Sequence, residues 1–420
     1  MDNGGHRRRV AVTGVGMVTP VGPDVASSWE ALLAGTPGGG PITQFDADGY
    51  ATRIACEIKD FDPLAHLTRK EARRYDRFLQ FAVAAADEAM RTAGLAGPPS
   101  ACPPTAFGAL IGSGVGGIAT LEANCRILDR RGPGRVSPFF VPMFIPDIAA
   151  GVVSIRYGLR GPNYATVSAC ASGAHAIGEA ARHIERGEAD IMLAGGAEAA
   201  VTPITIAGFA AMKAMSRRND DPAGASRPFD AGRDGFVIGE GAGVLVLEAM
   251  DGARARGAEI LGELAGYGAT GDAHHITAPP PGAEGAQEAM KAALADAGIG
   301  PDGIDYVNAH GTSTPANDPA ETAAIKAVLG PRAHDVVVGS TKSMTGHLLG
   351  AAGAIETVMC VMACRTGRIP PTINFAERDE ACDLEYAHGG MVERPVGAAL
   401  NNSFGFGGHN ACLVVRRYRD

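Results

Sequence analysis

Apolar strand-like segments alternate with helix-like segments along the chain, and they do so in two successive runs. The clearest apolar segments are 10–15, 106–113, 190–194, 243–247, 304–308 and 336–340. Strands that alternate with helices form a sheet whose faces the helices cover. We therefore predict an α/β protein built from two similar halves, residues 1–256 and 257–420.

The bulk composition excludes several classes of protein. A net charge of −9 argues against general nucleic-acid binding. We find no long uninterrupted apolar window and no signal-peptide core after the basic N-terminal residues, so we expect a cytoplasmic protein without membrane segments. The eight cysteines lack metal-ligand spacing, and we expect no metal site.

The segment 157–194 contains the strongest candidate for a reactive side chain. We predict a strand that ends at Cys170, a tight Ala-Ser-Gly passage, and a helix beyond Gly173. A cysteine at the N-terminus of a helix lies near unpaired N–H groups, which favour the thiolate. A buried structural cysteine is the ordinary alternative, but the small neighbours resemble those of a nucleophile at a strand-to-helix turn.

Two histidines follow predicted strands, at the edge of the sheet where α/β proteins bind ligands. His310 lies in VNAHGTSTPAND and His347 in STKSMTGHLLGAAGAIE. Either histidine alone is equally well explained as a buried core residue. One cysteine and two such histidines together indicate a catalytic constellation. Lys342 and Glu356 flank His347, and we predict an ion pair behind the site.

Thr68 and Glu71 match a capping box, and the helix they begin is predicted to run to about Thr92. Its N-terminal half carries five cations at helical spacing, namely Arg69, Lys70, Arg73, Arg74 and Arg77. Such a stripe is either a solvated face or a docking surface for an acidic partner.

The constellation Cys170–His310–His347 lies in the motifs TVSACASGAH, NAHGTSTP and STKSMTGHLLGAAGAIE, and NSFGFGGHN follows near the end. Together these motifs resemble those of the β-ketoacyl-[acyl-carrier-protein] synthases, most closely synthase II and the ketosynthases of type II polyketide systems. The similarity runs from about residue 10 to 415. It implies the thiolase fold, a five-layered αβαβα core of two pseudo-equivalent halves.

The resemblance also implies a reaction, the decarboxylative Claisen condensation. Cys170 would accept an acyl chain from a carrier-protein thioester, as in an acyltransferase. His310 and His347 would donate hydrogen bonds to the enolate formed from malonyl-carrier protein. The backbone N–H groups of Cys170 and Phe406 would hold the thioester oxygen.

Further residues receive roles from the same resemblance. Lys342 and Glu356 support His347, and Phe406 gates the acyl pocket together with the loop 268–282. The other implied assignments are Val115 and Phe209 in the acyl pocket, Thr312 and Thr314 as polar substrate contacts, and Arg69, Lys70, Arg73 and Arg74 in carrier-protein docking.

The implied partners are an acyl carrier protein and either a second copy of the chain or a chain-length-factor-like homologue. No cofactor is expected, because phosphopantetheine arrives on the carrier protein. His409 stands where synthase II often has Thr, and Asn317 where Gly is usual. These departures leave open whether the acyl chains become fatty acids or polyketides.

Other protein classes fit less well. A degradative thiolase would carry a second catalytic cysteine near its C-terminus, and a synthase III-type enzyme would have Asn where His347 stands. A non-catalytic chain-length partner would lack Cys170. A Cys–His peptidase would need an orienting Asn or Asp that we do not identify.

Overall fold

The computed structural model describes residues 7–100 and 102–419, which form fourteen strands and thirteen α-helices. The strands are β1 Val10–Val18, β2 Gly40–Pro41, β3 Ile54–Ala55, β4 Phe107–Gly112, β5 Asn163–Tyr164, β6 Ile191–Glu198, β7 Gly241–Ala249, β8 Gly262–Gly271, β9 Tyr306–Asn308, β10 Val337–Gly339, β11 Arg368–Ile369, β12 Val392–Glu393, β13 Ala398–Gly405 and β14 His409–Arg416. The helices are α1 Val25–Leu33, α2 Arg69–Arg74, α3 Arg77–Thr92, α4 Ile118–Arg131, α5 Phe140–Phe144, α6 Ile148–Tyr157, α7 Ser172–Glu185, α8 Pro203–Ala211, α9 Met250–Ala255, α10 Glu284–Asp296, α11 Asn317–Leu329, α12 Lys342–Thr345 and α13 Ala352–Thr366.

Ten strands form one mixed sheet in the order β10-β9-β13-β14-β8-β1-β7-β6-β4-β5. The order reads the same from either end if β1, β4, β5, β6 and β7 are matched with β8, β9, β10, β13 and β14. The pairing directions match as well, since β4 is parallel to β5 and β6, and β9 is parallel to β10 and β13. The two halves meet where β1 pairs with β8. The predicted repeat is therefore present in the topology, while the division at residue 256 remains a prediction.

The sheet wraps around a central pair of helices, α7 and α13, which contact strands from both halves. On the outer faces, α3 and α6 cover the strands of the first half, and α10 covers those of the second with α11 beside it. Separate apolar clusters fill the centre and the two outer interfaces. The five-layered αβαβα arrangement of the thiolase fold is thus confirmed.

The central helices approach one another through glycines. A Cβ at Gly173 would lie 2.8 Å from the carbonyl oxygen of Gly350, and one at Gly196 would lie 2.5 Å from the same oxygen. Residues 349–366 are long and apolar enough to cross a membrane, but 83% of this segment is buried inside the protein. Its apolar composition is explained by its place in the central layer, where both faces are covered.

The predicted helix from Thr68 to Thr92 is wrong in one respect, because it is two helices. Tyr75 has extended backbone, and the carboxylate of Asp76 then caps α3 and accepts a hydrogen bond from Thr120 Oγ1 at 2.6 Å. Arg77 therefore leaves the cationic stripe and forms an ion pair with the buried carboxylate of Glu240, with Nη2 and Oε1 2.8 Å apart.

Two predicted boundaries also differ from the structure. The strand before Cys170 ends at Tyr164 rather than at the cysteine, and irregular backbone leads to the turn. The predicted loop 268–282 begins only after Gly271, because β8 pairs with β14 up to that residue. At Gly271 the pairing with β14, rather than local residue preference, sets the boundary.

Candidate active site

Cys170 lies in a single 3₁₀ turn, Ala169–Ala171, immediately before the first residue of α7. We call this turn the first elbow. Ala169 has a left-handed φ of 51°, an uncommon conformation for a residue with a Cβ. The Ser172 hydroxyl holds the elbow in this shape, since it donates to the Ala169 carbonyl at 2.7 Å and accepts from the Ser168 N–H at 2.9 Å. The thiol is thereby placed at the start of a central helix.

The structure brings the three predicted catalytic side chains together. His347 Nε2 lies 2.9 Å from Cys170 Sγ, and the rings of His310 and His347 are 5.3 Å apart and nearly perpendicular. All three side chains are buried. The backbone of His347 is fixed by its N–H, which donates to the Val237 carbonyl at 2.7 Å.

Burial controls the protonation of all three groups. It raises the pKa of Cys170 to about 12, although the charge of Lys342 and the N–H groups of Phe406 and Cys170 oppose this. The expected thiolate is therefore not the resting form, because desolvation outweighs the start of the helix. Burial, together with the charge of Lys342, holds the pKa of both histidines well below the usual value. Both imidazoles are neutral at pH 7.

The resting thiol leads to a prediction about alkylation by iodoacetamide. Because only the thiolate reacts, the alkylation rate of Cys170 should rise about tenfold per pH unit between about pH 6.5 and 8.5. The modified peptide identifies the site by mass spectrometry, and a Cys170→Ala protein provides the background from the exposed Cys125. A rate that levels off within this range would contradict a raised pKa.

Two buried carboxylates lie near the histidines, and sequence reasoning found only one of them. Lys342 and Glu356 form the predicted ion pair behind the site, where burial raises the pKa of Glu356 to about 7 against the effect of the ammonium group. Glu321 was missed. It accepts hydrogen bonds from the N–H groups of His310 and Gly311, both at 2.7 Å. The sequence pattern that could have indicated Glu321 is the pair of carboxylates on one face of α11, since Glu321 follows Asp318 by one helical turn.

A cavity of about 390 Å³ opens at these three side chains. Cys170, His310 and His347 lie in its lining, and the other predicted residues that line it are Phe209, Thr312, Thr314 and Phe406. The two threonine hydroxyls are 3.0 Å apart and offer a polar contact within the cavity. Val115 is not among the lining residues. It packs in an adjoining apolar cluster with Cys170 and Leu349.

The predicted gate, Phe406, lies in the turn between β13 and β14, with its ring centre 6.3 Å from that of Phe209. Two backbone hydrogen bonds connect this turn to the loop after β8. The N–H of Gly407 donates to Ile276 at 2.7 Å, and the N–H of Asp272 donates to Gly408 at 2.9 Å. If the turn moves, either these two hydrogen bonds break or the loop after β8 moves with it.

The four predicted docking cations occupy α2, a short helix outside the cavity. Arg69, Lys70, Arg73 and Arg74 are all exposed. The guanidinium of Arg74 lies over the ring of Phe139, 4.1 Å from its centre, which connects α2 to the segment around α5. We call these four residues the α2 patch. They present positive charge on a protein whose net charge is −9.

The reactive atoms of Cys170, His310 and His347 lie within 4.8 Å of one another, close enough to share a metal ion. Histidine ligands normally donate their second ring N–H to an acceptor. Among the described residues, neither Nδ1 has such a partner. The charge of Lys342 also opposes a bound cation. The absence of a metal remains a prediction that these two features favour.

Comparison with known proteins gives a consistent result. Residues 7–253 match the profile of the beta-ketoacyl synthase N-terminal domain, and residues 261–376 match that of the C-terminal domain. The 3-oxoacyl-[acyl-carrier-protein] synthase 2 of Synechocystis sp. is 51% identical over 414 residues, 99% of each chain.

Solved structures agree with these matches. The ishigamide ketosynthase/chain length factor superimposes with a TM-score of 0.92 at 36% identity, covering 99% of this chain and 100% of that chain. A type II PKS acyl-carrier protein in complex with its ketosynthase, bound to the hexaketide, gives a TM-score of 0.90 at 35% identity, covering 98% and 100% of the two chains.

Proposed function

Since this chain belongs to the β-ketoacyl synthase family, we propose that it is a 3-oxoacyl-[acyl-carrier-protein] synthase that elongates an acyl chain held on Cys170. The observation that carries the proposal is one thiol and two neutral imidazoles facing a common cavity. A thiol forms the acyl intermediate, and two neutral N–H donors stabilise an enolate oxygen without giving it a full proton.

The first half-reaction transfers the acyl group. The Cys170 sulfur attacks the thioester carbonyl of the carrier protein, the carrier sulfur leaves, and the cysteine proton ends on the leaving thiol. His347 is in contact with the sulfur, and its Nε2–H stabilises the thiolate as the proton departs. The oxyanion is held by the N–H groups of Cys170 and Phe406, both of which reach the region of Sγ. Movement of the Phe406 turn would admit the acyl chain.

The second half-reaction makes the carbon–carbon bond. Malonyl-carrier protein loses CO₂, and the electron pair of the broken bond forms an enolate whose oxygen accepts from Nε2–H of His310 and His347. The enolate carbon attacks the acyl carbonyl on Cys170, and the sulfur leaves and regains a proton. Removing one such donor typically costs roughly 3–4 kcal/mol of barrier. Thr312 and Thr314 line the cavity, which supports the proposal that they contact the pantetheine arm.

The direct test supplies the purified protein with an acyl-carrier protein and malonyl-carrier protein. We expect one CO₂ and one 3-oxoacyl product, two carbons longer than the primer, for each malonyl group consumed. Product formation from acyl and malonyl thioesters without CO₂ release would contradict a decarboxylative condensation. Formation of CO₂ without chain elongation would contradict the role of Cys170.

The α2 patch is proposed to dock the acidic carrier protein. Reversing Arg69 and Lys70 together to Glu should raise the KM for carrier-protein substrates about tenfold at low salt. Small pantetheine thioesters should react as before, because they do not reach the patch. Steady-state kinetics with carrier-protein substrates and with small pantetheine thioesters measure the two KM values.

A matched control reverses Lys291 and Arg365, which are exposed and lie on α10 and α13. This variant should leave both substrates unaffected. An equal loss for carrier-protein and small substrates in the Arg69 and Lys70 variant would exclude the docking role.

The pathway is proposed on the identity values. The relative named 3-oxoacyl-[acyl-carrier-protein] synthase 2 is 51% identical, against 35–36% for the polyketide structures. We therefore propose fatty-acid elongation, in the cytoplasm. The first candidate for the assembly is a homodimer. The second candidate is a heterodimer with a chain-length-factor-like homologue, by likeness to the ishigamide complex. Affinity purification from the native organism decides, since a copurifying homologue without the cysteine would indicate the heterodimer.

A further inference from the structure

Residues 349–351 form a second elbow that matches the first. Each is a single 3₁₀ turn directly before a central helix, Ala169–Ala171 before α7 and Leu349–Ala351 before α13. The first residue of each has a left-handed φ, 51° at Ala169 and 46° at Leu349. The sheet order places the two turns at equivalent points of the repeat. Gly350 is therefore the counterpart of Cys170.

The second elbow is occupied by a buried carboxylate of the chain itself. Glu198, the last residue of β6, accepts through Oε2 from the N–H of Gly350 at 3.0 Å and of Gly114 at 2.7 Å. Its Oε1 accepts from Ser113 Oγ at 3.0 Å and from the N–H of Val115 at 3.3 Å. Among the described residues, it forms no salt bridge. Burial raises the pKa of Glu198 to about 7, and these donors oppose the shift.

The first elbow differs at the corresponding position. The last residue of β13 is Gly405, the counterpart of Glu198, and a Cβ there would lie only 3.2 Å from the N–H nitrogen of Cys170. With no side chain at Gly405, the space beside this N–H stays open for a substrate oxygen. The backbone N–H of Cys170 at the first elbow is thus left free for a substrate, whereas that of Gly350 at the second elbow is bonded to Glu198.

Glu198 connects two turns that carry apolar residues at or beside the cavity. The turn 113–116 carries Val115, and the second elbow carries Leu349, which lines the cavity. Both pack in one apolar cluster with Cys170. The turns touch directly, since a Cβ on Gly350 would lie 2.2 Å from the nitrogen of Gly114. The carboxylate is the group that satisfies the N–H donors of both turns.

We propose that Glu198 is a positioning residue that sets acyl-chain selectivity by fixing Val115 and Leu349. The proposal rests on the proposed function, because it needs an acyl chain on Cys170. Ordering a side chain when a ligand binds costs free energy. Side chains that are already fixed along the channel avoid this cost. A long chain makes more such contacts than an acetyl group does. Loss of the carboxylate should therefore harm long chains more than short ones.

The test is Glu198→Gln, measured by the rate at which acetyl and dodecanoyl pantetheine thioesters acylate Cys170. Glutamine presents an amide NH₂ where two backbone N–H groups need an acceptor. We expect the dodecanoyl-to-acetyl rate ratio to fall at least about tenfold, with the acetyl rate changed less than about threefold. A ratio unchanged within about twofold, or one that rises, overturns the proposal.

Two further variants keep the result interpretable. Glu248→Gln removes a similarly buried carboxylate elsewhere on the neighbouring strand β7, and should lower stability without changing the ratio. Ser113→Ala removes one donor to Glu198 and should lower the ratio in the same direction by a smaller factor. It decides the question if Glu198→Gln does not fold. Failure of the unmodified protein to become acylated at all would refute the proposed function, whereas an unchanged ratio in an acylated variant refutes only the positioning role.

Discussion

Replacement of Cys170 by Ala should abolish acylation and lower the condensation rate by at least about 10⁴-fold, since among the described residues no other thiol lines the cavity. The substitution removes one buried sulfur atom and leaves the elbow backbone, Ser172 and both histidines in place. The fold should therefore be retained. Labelled acyl-carrier protein, followed by intact-mass measurement of the protein, reports the missing intermediate.

The same variant should still release CO₂ from malonyl-carrier protein, because His310 and His347 remain available to the enolate oxygen. This partial activity separates a missing nucleophile from a damaged site. Cys125→Ala is the matched control, since Cys125 is exposed on α4 and should be dispensable. Label retained on the Cys170→Ala protein would remove the nucleophile assignment.

Alanine substitutions of the two histidines should affect acylation and condensation differently in single-turnover experiments. His310 does not touch the sulfur, so His310→Ala should keep acylation of Cys170 within about threefold while condensation falls roughly 10²–10³-fold. His347 contacts the sulfur at 2.9 Å, and His347→Ala should slow both acylation and condensation. Acylation is followed by mass spectrometry, and decarboxylation by release of labelled CO₂.

Asparagine variants test whether the histidines act as hydrogen-bond donors. The amide N–H of Asn can replace an imidazole N–H, so His310→Asn should recover part of the condensation that His310→Ala loses. Asparagine also fills part of the volume that alanine leaves empty, so His310→Leu, which is of similar size to asparagine but has no N–H donor, controls for a packing effect. If the condensation rate of His310→Asn falls as far as that of the variants without an N–H donor, the proposed role of His310 in stabilising the oxygen is wrong.

The reactive residues were predictable because their sequence settings are local. Cys170, His310 and His347 each stand in a short Gly-, Ala- or Thr-rich segment after an apolar strand, and the structure brings all three to one cavity. The repeat was predictable from the alternation of elements. The break at Tyr75 and Asp76 was not, because an aspartate inside a helix-like pattern gives no sign that its carboxylate will be buried against Thr120.

Two further features depend on tertiary contacts. Ala169 and Leu349 carry left-handed backbone that residue type does not predict, and Ser172 and the neighbouring turns hold it in place. Glu198 is a charged residue at the end of an apolar strand, a position that usually indicates exposure to solvent, yet it is completely buried. The protonation of Cys170 was mispredicted for the same reason, since the depth of burial is a property of the assembled layers.

The glycine contacts between the central layers limit how laboratory evolution can alter this enzyme. Gly173, Gly196 and Gly350 leave no volume for even a methyl group without displacing backbone. Libraries aimed at new product lengths should therefore be concentrated at the rim of the cavity, in the exposed residues 273–276 of the loop after β8. That part of the loop is exposed, whereas diversity introduced at the glycine contacts of the interior would mostly yield unfolded clones.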